Sequence, residues 1–229
     1  MMTNLSKEQL ARMIDISAVK ADSSLDEVEL IVKAAKKYRF ICVFALPSLV
    51  PYAKQFLAGE TEIDLGSTVG FPSGSSTTST KAFEAEELLK FGCNELDMVI
   101  NIGKLKSNLY KDVVDDIKKI VEIAGIVPVK VILEVCLLKD SEIQNGAKII
   151  RDCGAKFVKT GTGWIGPTTF EHISLIKEAV GESIPLKVAG GVRNLDVLLK
   201  MAEMGVSRFG ISHVAAVNIM DEFITSSKG

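Results

Sequence analysis

The sequence predicts an α/β chain that closes into a (β/α)8 barrel, and three observations carry that reading. Short apolar, β-branched runs alternate with longer amphipathic segments from one end to the other. Eight strands and eight helices can be counted, so 229 residues divide into units of roughly 29, about one strand with its crossover helix. No low-complexity stretch or break in composition interrupts the series, which predicts a single barrel domain over residues 1–229.

A short N-terminal helix over 4–13 is expected first, leading into a strand at 13–17. Strands follow at 40–45, 62–69, 95–101, 129–136, 156–160, 186–189 and 208–212, each apolar enough to be covered on both faces. Helical patterns fall between them at 25–38, 50–58, 81–91, 108–123, 140–153, 169–180 and 195–204, with a last one after Val214. An open doubly wound sheet uses the same alternation but commonly with fewer strands, so a closed TIM barrel is preferred. The long polar stretch 70–80 reads as a mobile segment of the rim near the pocket mouth.

Composition narrows the function. With 47% apolar and 24% charged residues the chain can fill one core. Twenty-seven basic against 29 acidic residues give a net charge of −2, which argues against a polybasic face and a nucleic-acid partner. The first residues lack a signal peptide's apolar run, and charges interrupt every later apolar stretch, so a cytoplasmic protein with no membrane partner is expected. Cys42, Cys93, Cys136 and Cys153 share no ligand spacing with His172 or His213. They read as small core residues rather than as a disulfide framework or zinc site.

Catalytic groups of such barrels stand at the carboxyl ends of the strands, so ionisable residues inside apolar strands single themselves out. Asp15, Asp97, Glu134, Lys159 and Lys187 are all so placed. An unpaired buried charge costs several kcal/mol, and these groups are expected to meet one another. Singly, each fits an ion-pair network that only holds the barrel together; jointly they fit a site. Lys130, at the start of its strand, is expected to reach solvent at the barrel floor, and Lys118 and Lys119 to lie on a solvated helix face. Lys159 and Lys187 fall on neighbouring strands, where each positive charge opposes protonation of the other and leaves one amine nucleophilic. Such an amine condenses with a carbonyl, and Asp97, through water and coupled to the second lysine, suits the accompanying proton transfer.

Three successive strand ends run into glycine-rich loops: Thr160-Gly161-Thr162-Gly163, Gly190-Gly191-Val192-Arg193, and Gly210-Ile211-Ser212-His213. Each alone fits a tight turn. Together, after strands six to eight, they suit a phosphate on a small substrate. Gly161, Gly163 and Gly166 also match the spacing of a dinucleotide fingerprint, but they lie in the sixth unit and Pro167 follows, so the match is read as coincidence.

From Asp15 to about His213 the chain resembles the deoxyribose-phosphate aldolase family of class I, Schiff-base aldolases. The segments that carry the likeness are Asp15-Ile16-Ser17-Ala18-Val19-Lys20, Thr68-Val69-Gly70-Phe71-Pro72, Glu95 to Gly103, Phe157-Val158-Lys159-Thr160, and Lys187 to Arg193. The resemblance implies that Lys159 forms the imine and that Lys187 and Asp97 serve its pKa and proton relay. It implies cleavage of 2-deoxyribose 5-phosphate to glyceraldehyde 3-phosphate and acetaldehyde. It further implies that Gly163, Gly190, Gly191 and Ser212 hold the phosphate with Asp15 and Thr160 nearby, that the imine replaces any metal or cofactor, and that a homodimer is common.

Departures concentrate on the tail side. His213 stands where a second serine is expected, Gly161 replaces a serine, Trp164 takes the place of a lysine or phenylalanine, and the end at Ser226-Ser227-Lys228-Gly229 lacks a terminal tyrosine. They leave two alternatives open: a related aldolase for another short sugar phosphate or unphosphorylated hydroxyaldehyde, and a barrel that only binds a phosphorylated metabolite.

Overall fold

Eight parallel strands close on themselves in chain order in the computed structural model, which describes residues 5–226. They are β1 (Ile14–Ala18), β2 (Cys42–Ala45), β3 (Asp64–Val69), β4 (Glu95–Val99), β5 (Val129–Ile132), β6 (Phe157–Lys159), β7 (Leu186–Ala189) and β8 (Val206–Ser212). Closure is made by β8 on β1, with Asp15 opposite Gly210 and Ser17 opposite Ser212. The helices are α1 (Lys7–Ala11), α2 (Leu25–Tyr38), α3 (Val50–Phe56), α4 (Thr78–Phe91), α5 (Ile102–Lys106), α6 (Tyr110–Ala124), α7 (Asp140–Asp152), α8 (Phe170–Val180), α9 (Leu195–Glu203) and α10 (His213–Ser226).

The ring of helices follows from one apolar stripe on each. In α2, Val28, Ile31, Val32, Ala35 and Tyr38 are buried, the spacing of a single helix face. The Tyr38 hydroxyl then donates to Asp221 Oδ1 at 2.6 Å, joining α2 to α10 where the ring closes.

Differences from the expected elements have local causes. The N-terminal helix is shorter than 4–13, and residue 4, like the tail from 227 to 229, lies outside the described residues. Helix α4 begins at Thr78 because Thr77 caps it, accepting from the Thr80 backbone at 3.3 Å. The polar run that reads as loop is therefore in part a cap and first turn. Helix α5 is additional: the Asn101 side chain accepts from Lys104 N at 3.1 Å and starts a turn of helix in the gap between the strand expected to end at 101 and the helix expected from 108. Strand β5 stops at Ile132, short of 136, since Glu134 takes a left-handed φ of 59° and Val135–Leu137 form a 3-10 turn.

Within the barrel the inward positions are charged to an unusual degree. Asp15, Glu95, Asp97, Lys130, Lys159, Lys187 and Arg208 are all buried and pair with one another, with the Phe44 ring against the Lys130 and Lys187 ammoniums. Gly66 makes room for that ring, because a Cβ there would collide with it. Among the described residues no helix is long and apolar enough to cross a membrane.

Candidate active site

Strand register brings the predicted groups together. Lys159 on β6 is opposite Lys187 on β7, and Asp97 on β4 is opposite Lys130 on β5. Asp97 Oδ2 accepts from Lys159 Nζ at 2.8 Å and from Lys187 Nζ at 2.6 Å. Lys187 Nζ is also 2.6 Å from Asp15 Oδ2 and 4.0 Å from the centre of the Phe44 ring. Arg208 Nε donates to Asp15 Oδ1 at 2.8 Å, and its Nη2 to Glu95 Oε1 at 2.7 Å.

Lys130 departs from expectation. It is completely buried, pairs with Glu95, and lies 3.4 Å from Asp97 Oδ1. Its strand position looked like the barrel floor, but three carboxylates converge inside the barrel and keep it there. Lys118 and Lys119 are exposed on α6, as expected.

The cluster holds four cationic side chains and three carboxylates. Burial would raise the Asp97 carboxyl's pKa, but Lys159, Lys187 and Lys130 together hold it below the ordinary range. Asp15 is likewise depressed, burial being outweighed by Lys187, Lys130 and Arg208. For Lys159 the balance goes the other way. Burial first, then the charges of Lys187 and Lys130, outweigh attraction to Asp97 and bring its amine down to about 8. The second cation thus contributes as the sequence suggested, but withdrawal from water is the larger cause. Deprotonating Lys159 would leave three cations facing three carboxylates.

Lys159 and Lys187 open into a cavity of about 300 Å³ that is also lined by Asp15, Gly163, Gly190, Gly191 and Ser212. Asp97 is not on its wall: it is fully buried beneath the two lysines. Thr160 also stands apart. Its hydroxyl is 2.7 Å from that of Thr168 and accepts from Ala189 N at 3.2 Å, tying β6 to β7. Gly190 and Gly191 have φ of 87° and 89°, and a Cβ on either would come within 2.8 Å of the chain at Gly166 or Pro167. Glycine is required there for the loops to pack at all.

Sequence reading passed over several wall residues. Lys20 and Arg193 bring positive charge to the mouth, and Thr68 and Thr162 bring hydroxyls. Thr68 was open to discovery, since it alternates with Gly66 on one face of β3. Glu134 is not a cavity residue. Its Oε2 accepts from Thr162 N at 3.1 Å and from the Thr162 hydroxyl, which sets the loop carrying Gly163. A Cβ at Gly161 would lie 2.9 Å from Glu134 Oε1, which gives a local reason for glycine in place of serine. His213 starts α10 and does not line the cavity.

Asp15, Cys42 and Glu95 bring three ligand-type atoms within 4.8 Å of one another. Arg208 and Lys130 already occupy their carboxylates, and burial with those carboxylates pushes the Cys42 thiol well up. Protein cations fill the place a metal would take.

A closed (β/α)8 barrel with a buried amine and carboxylate beneath a cavity at its carboxyl end defines an enzyme of the carbonyl-condensing class. Residues 9–214 match the model of the DeoC/LacD family aldolases. The deoxyribose-phosphate aldolase of Coprothermobacter proteolyticus is 43% identical over 212 residues, covering 92% of this chain and 95% of the relative. That of Rhizobium meliloti is 43% identical over 218 residues, covering 95% and 88%. Among solved structures, an aldolase named QR15 superposes with a TM-score of 0.88 at 32% identity, covering 95% of this chain and 96% of the other. The deoxyribose phosphate aldolase of Aeropyrum pernix superposes with a TM-score of 0.83 at 26% identity, covering 96% and 93%. The chain belongs to the DeoC/LacD aldolase family, whose reaction is that of a carbon–carbon lyase.

Proposed function

We propose that this chain cleaves 2-deoxy-D-ribose 5-phosphate to glyceraldehyde 3-phosphate and acetaldehyde through an imine on Lys159. The observation that carries the reading is the Lys159 amine itself: 6% exposed, on the wall of the cavity, and brought to about 8 by burial and by neighbouring cations. Near neutral pH a usable fraction is unprotonated and nucleophilic.

The neutral Nζ attacks C1 of the open-chain aldehyde, and loss of water gives a protonated imine. The C3 hydroxyl then gives up its proton, the C2–C3 bond breaks, and its electron pair flows into the imine to form an enamine. Glyceraldehyde 3-phosphate leaves. A proton added at C2 and hydrolysis of the resulting imine release acetaldehyde and restore Lys159. Asp97, beneath the wall, acts through water and Lys187 as the proton relay. The tail phosphate fits the end of the cavity where Gly163, Gly190, Gly191 and Ser212 meet the N-terminus of α10, with Lys20 and Arg193 adding charge at the mouth.

Acetaldehyde with borohydride tests the reading. Reduction of the imine should leave one ethyl group on Lys159, located by peptide mass spectrometry, and Lys159→Met should abolish both labelling and cleavage. An unlabelled Lys159 in folded protein would favour a barrel that only binds a phosphorylated metabolite.

A further inference from the structure

Thr68 takes no part in the chemistry above. It lies on β3, is 1% exposed, and its Cα is the register partner of Asp97. It shares the cavity wall with Lys159 and Lys187. Its hydroxyl has no hydrogen-bond partner among the described residues. The adjacent Ser67, facing the other side of the strand, donates to the Ala45 carbonyl oxygen at 2.8 Å. A buried hydroxyl left unpaired is a standing cost to the fold, and valine has the same shape without it. The Thr68 hydroxyl therefore calls for a partner that enters from the cavity.

The shape of the barrel narrows what that partner is. Strand β3 is four strands from β7 in a ring of eight, so Thr68 faces Gly190 and Gly191 from across the barrel, away from a tail held there. C1 of the substrate is taken by Lys159. The hydroxyls on C3 and C4 remain, and the one on C3 adjoins the bond that breaks, nearer the amine. Resting on the reading above, we infer that Thr68 binds the substrate's C3 hydroxyl. It donates to the oxygen that becomes the aldehyde oxygen of glyceraldehyde 3-phosphate. A donor aimed at that oxygen stabilises the negative charge that gathers on it as the proton leaves. Thr68 is then a specificity residue for substrates oxygenated at C3.

Thr68→Val and Thr68→Ser test the assignment in three measurements. Thr68→Val should lower kcat/KM for cleavage about tenfold, whereas Thr68→Ser should stay within about threefold of wild type. Labelling of Lys159 by acetaldehyde and borohydride should proceed at the wild-type rate in both, because acetaldehyde has no C3 hydroxyl. Thermal unfolding of Thr68→Val should occur no lower than in wild type, since the hydroxyl removed had no partner within the fold. Unchanged cleavage by Thr68→Val overturns the assignment. So does slowed labelling or a lowered melting temperature, either of which makes the hydroxyl part of the scaffold. A wild-type protein that does not label would overturn the imine itself, and this assignment with it, so the two failures are told apart.

Discussion

Two buried lysines in this barrel have opposite fates. Lys81, on α4, is fully buried between α4 and α6. It lies 2.6 Å from Asp116 Oδ2 and donates to the Val99 carbonyl oxygen at 2.9 Å, while Asp116 Oδ1 accepts from the Thr78 hydroxyl. Burial lowers its pKa, and Asp116 works against that fall. Lys159 is nearly as withdrawn from water, but it shares its carboxylate with Lys187, has Lys130 close by, and opens into a cavity. Burial alone does not make an amine available for chemistry. A shortage of carboxylates and a route for the substrate do, and Lys81 has neither.

Lys187→Leu strikes that contrast hardest. Without Lys187 the relay through Asp97 is broken, and kcat should fall by about 10³-fold, within the range of lost acid–base catalysis. The fold should survive, because Arg208 still holds Asp15, and Lys159 and Lys130 still face Asp97. Turnover within tenfold of wild type, measured on protein shown to be folded by circular dichroism, would remove Lys187 from the mechanism.

Asp116→Asn tests the other half. It leaves the Lys81 ammonium buried without its counter-charge, and the loss of stability in urea should be about 3–5 kcal/mol, with kcat/KM unchanged. Replacing both partners by apolar residues, as in Lys81→Met with Asp116→Leu, should recover most of that loss. If Asp116→Asn instead reduced activity while leaving stability intact, the pair would be coupled to the site and the contrast would fail.

The pH profile gives the next effect in size. The reactive form of Lys159 is the neutral one, and its pKa is about 8. Labelling by acetaldehyde at low concentration should therefore rise about tenfold per pH unit below that value and level off above it. In Lys187→Leu a neighbouring positive charge is gone, protonation of Lys159 is easier, and the limb should move to higher pH. A limb that stays put, or moves down, would show that Lys187 does not act on Lys159 through its charge.

Strand order and the meeting of Lys159, Lys187 and Asp97 were legible in the sequence because each rests on alternation: apolar runs that repeat, and charges that interrupt them. Depth inside the barrel was not. Lys130 stands in an apolar strand as Lys187 does, and only register with Asp97 shows that its ammonium points into the barrel rather than to the floor. Thr160 follows Lys159 directly and looks like a site residue. The side-to-side alternation of a strand turns its hydroxyl toward Thr168 instead. Helix α5 was hidden because one turn of helix, started by the Asn101 side chain, is too short to show a period.

Trp164 lies between the two regimes, at the rim, and should give the smallest effect. Its side chain lines the cavity. The residue is 41% exposed, its Nε1 donates to the Val19 carbonyl oxygen at 2.9 Å, and its ring meets Phe71 edge-on at 5.4 Å. These contacts pin the indole across the loops after β1 and β3, where it forms part of the cavity wall next to Gly163. Trp164→Phe keeps the ring contact and loses one partly exposed hydrogen bond, so stability should fall by about 0.5–1.5 kcal/mol at most. The ratio of kcat/KM for 2-deoxyribose 5-phosphate to that for 2-deoxyribose should change less than about threefold, because an aromatic ring of similar bulk stays on that stretch of wall. A tenfold change in that ratio would mean that the indole shapes the tail pocket after all, and that the rim belongs with Lys159 rather than with the scaffold.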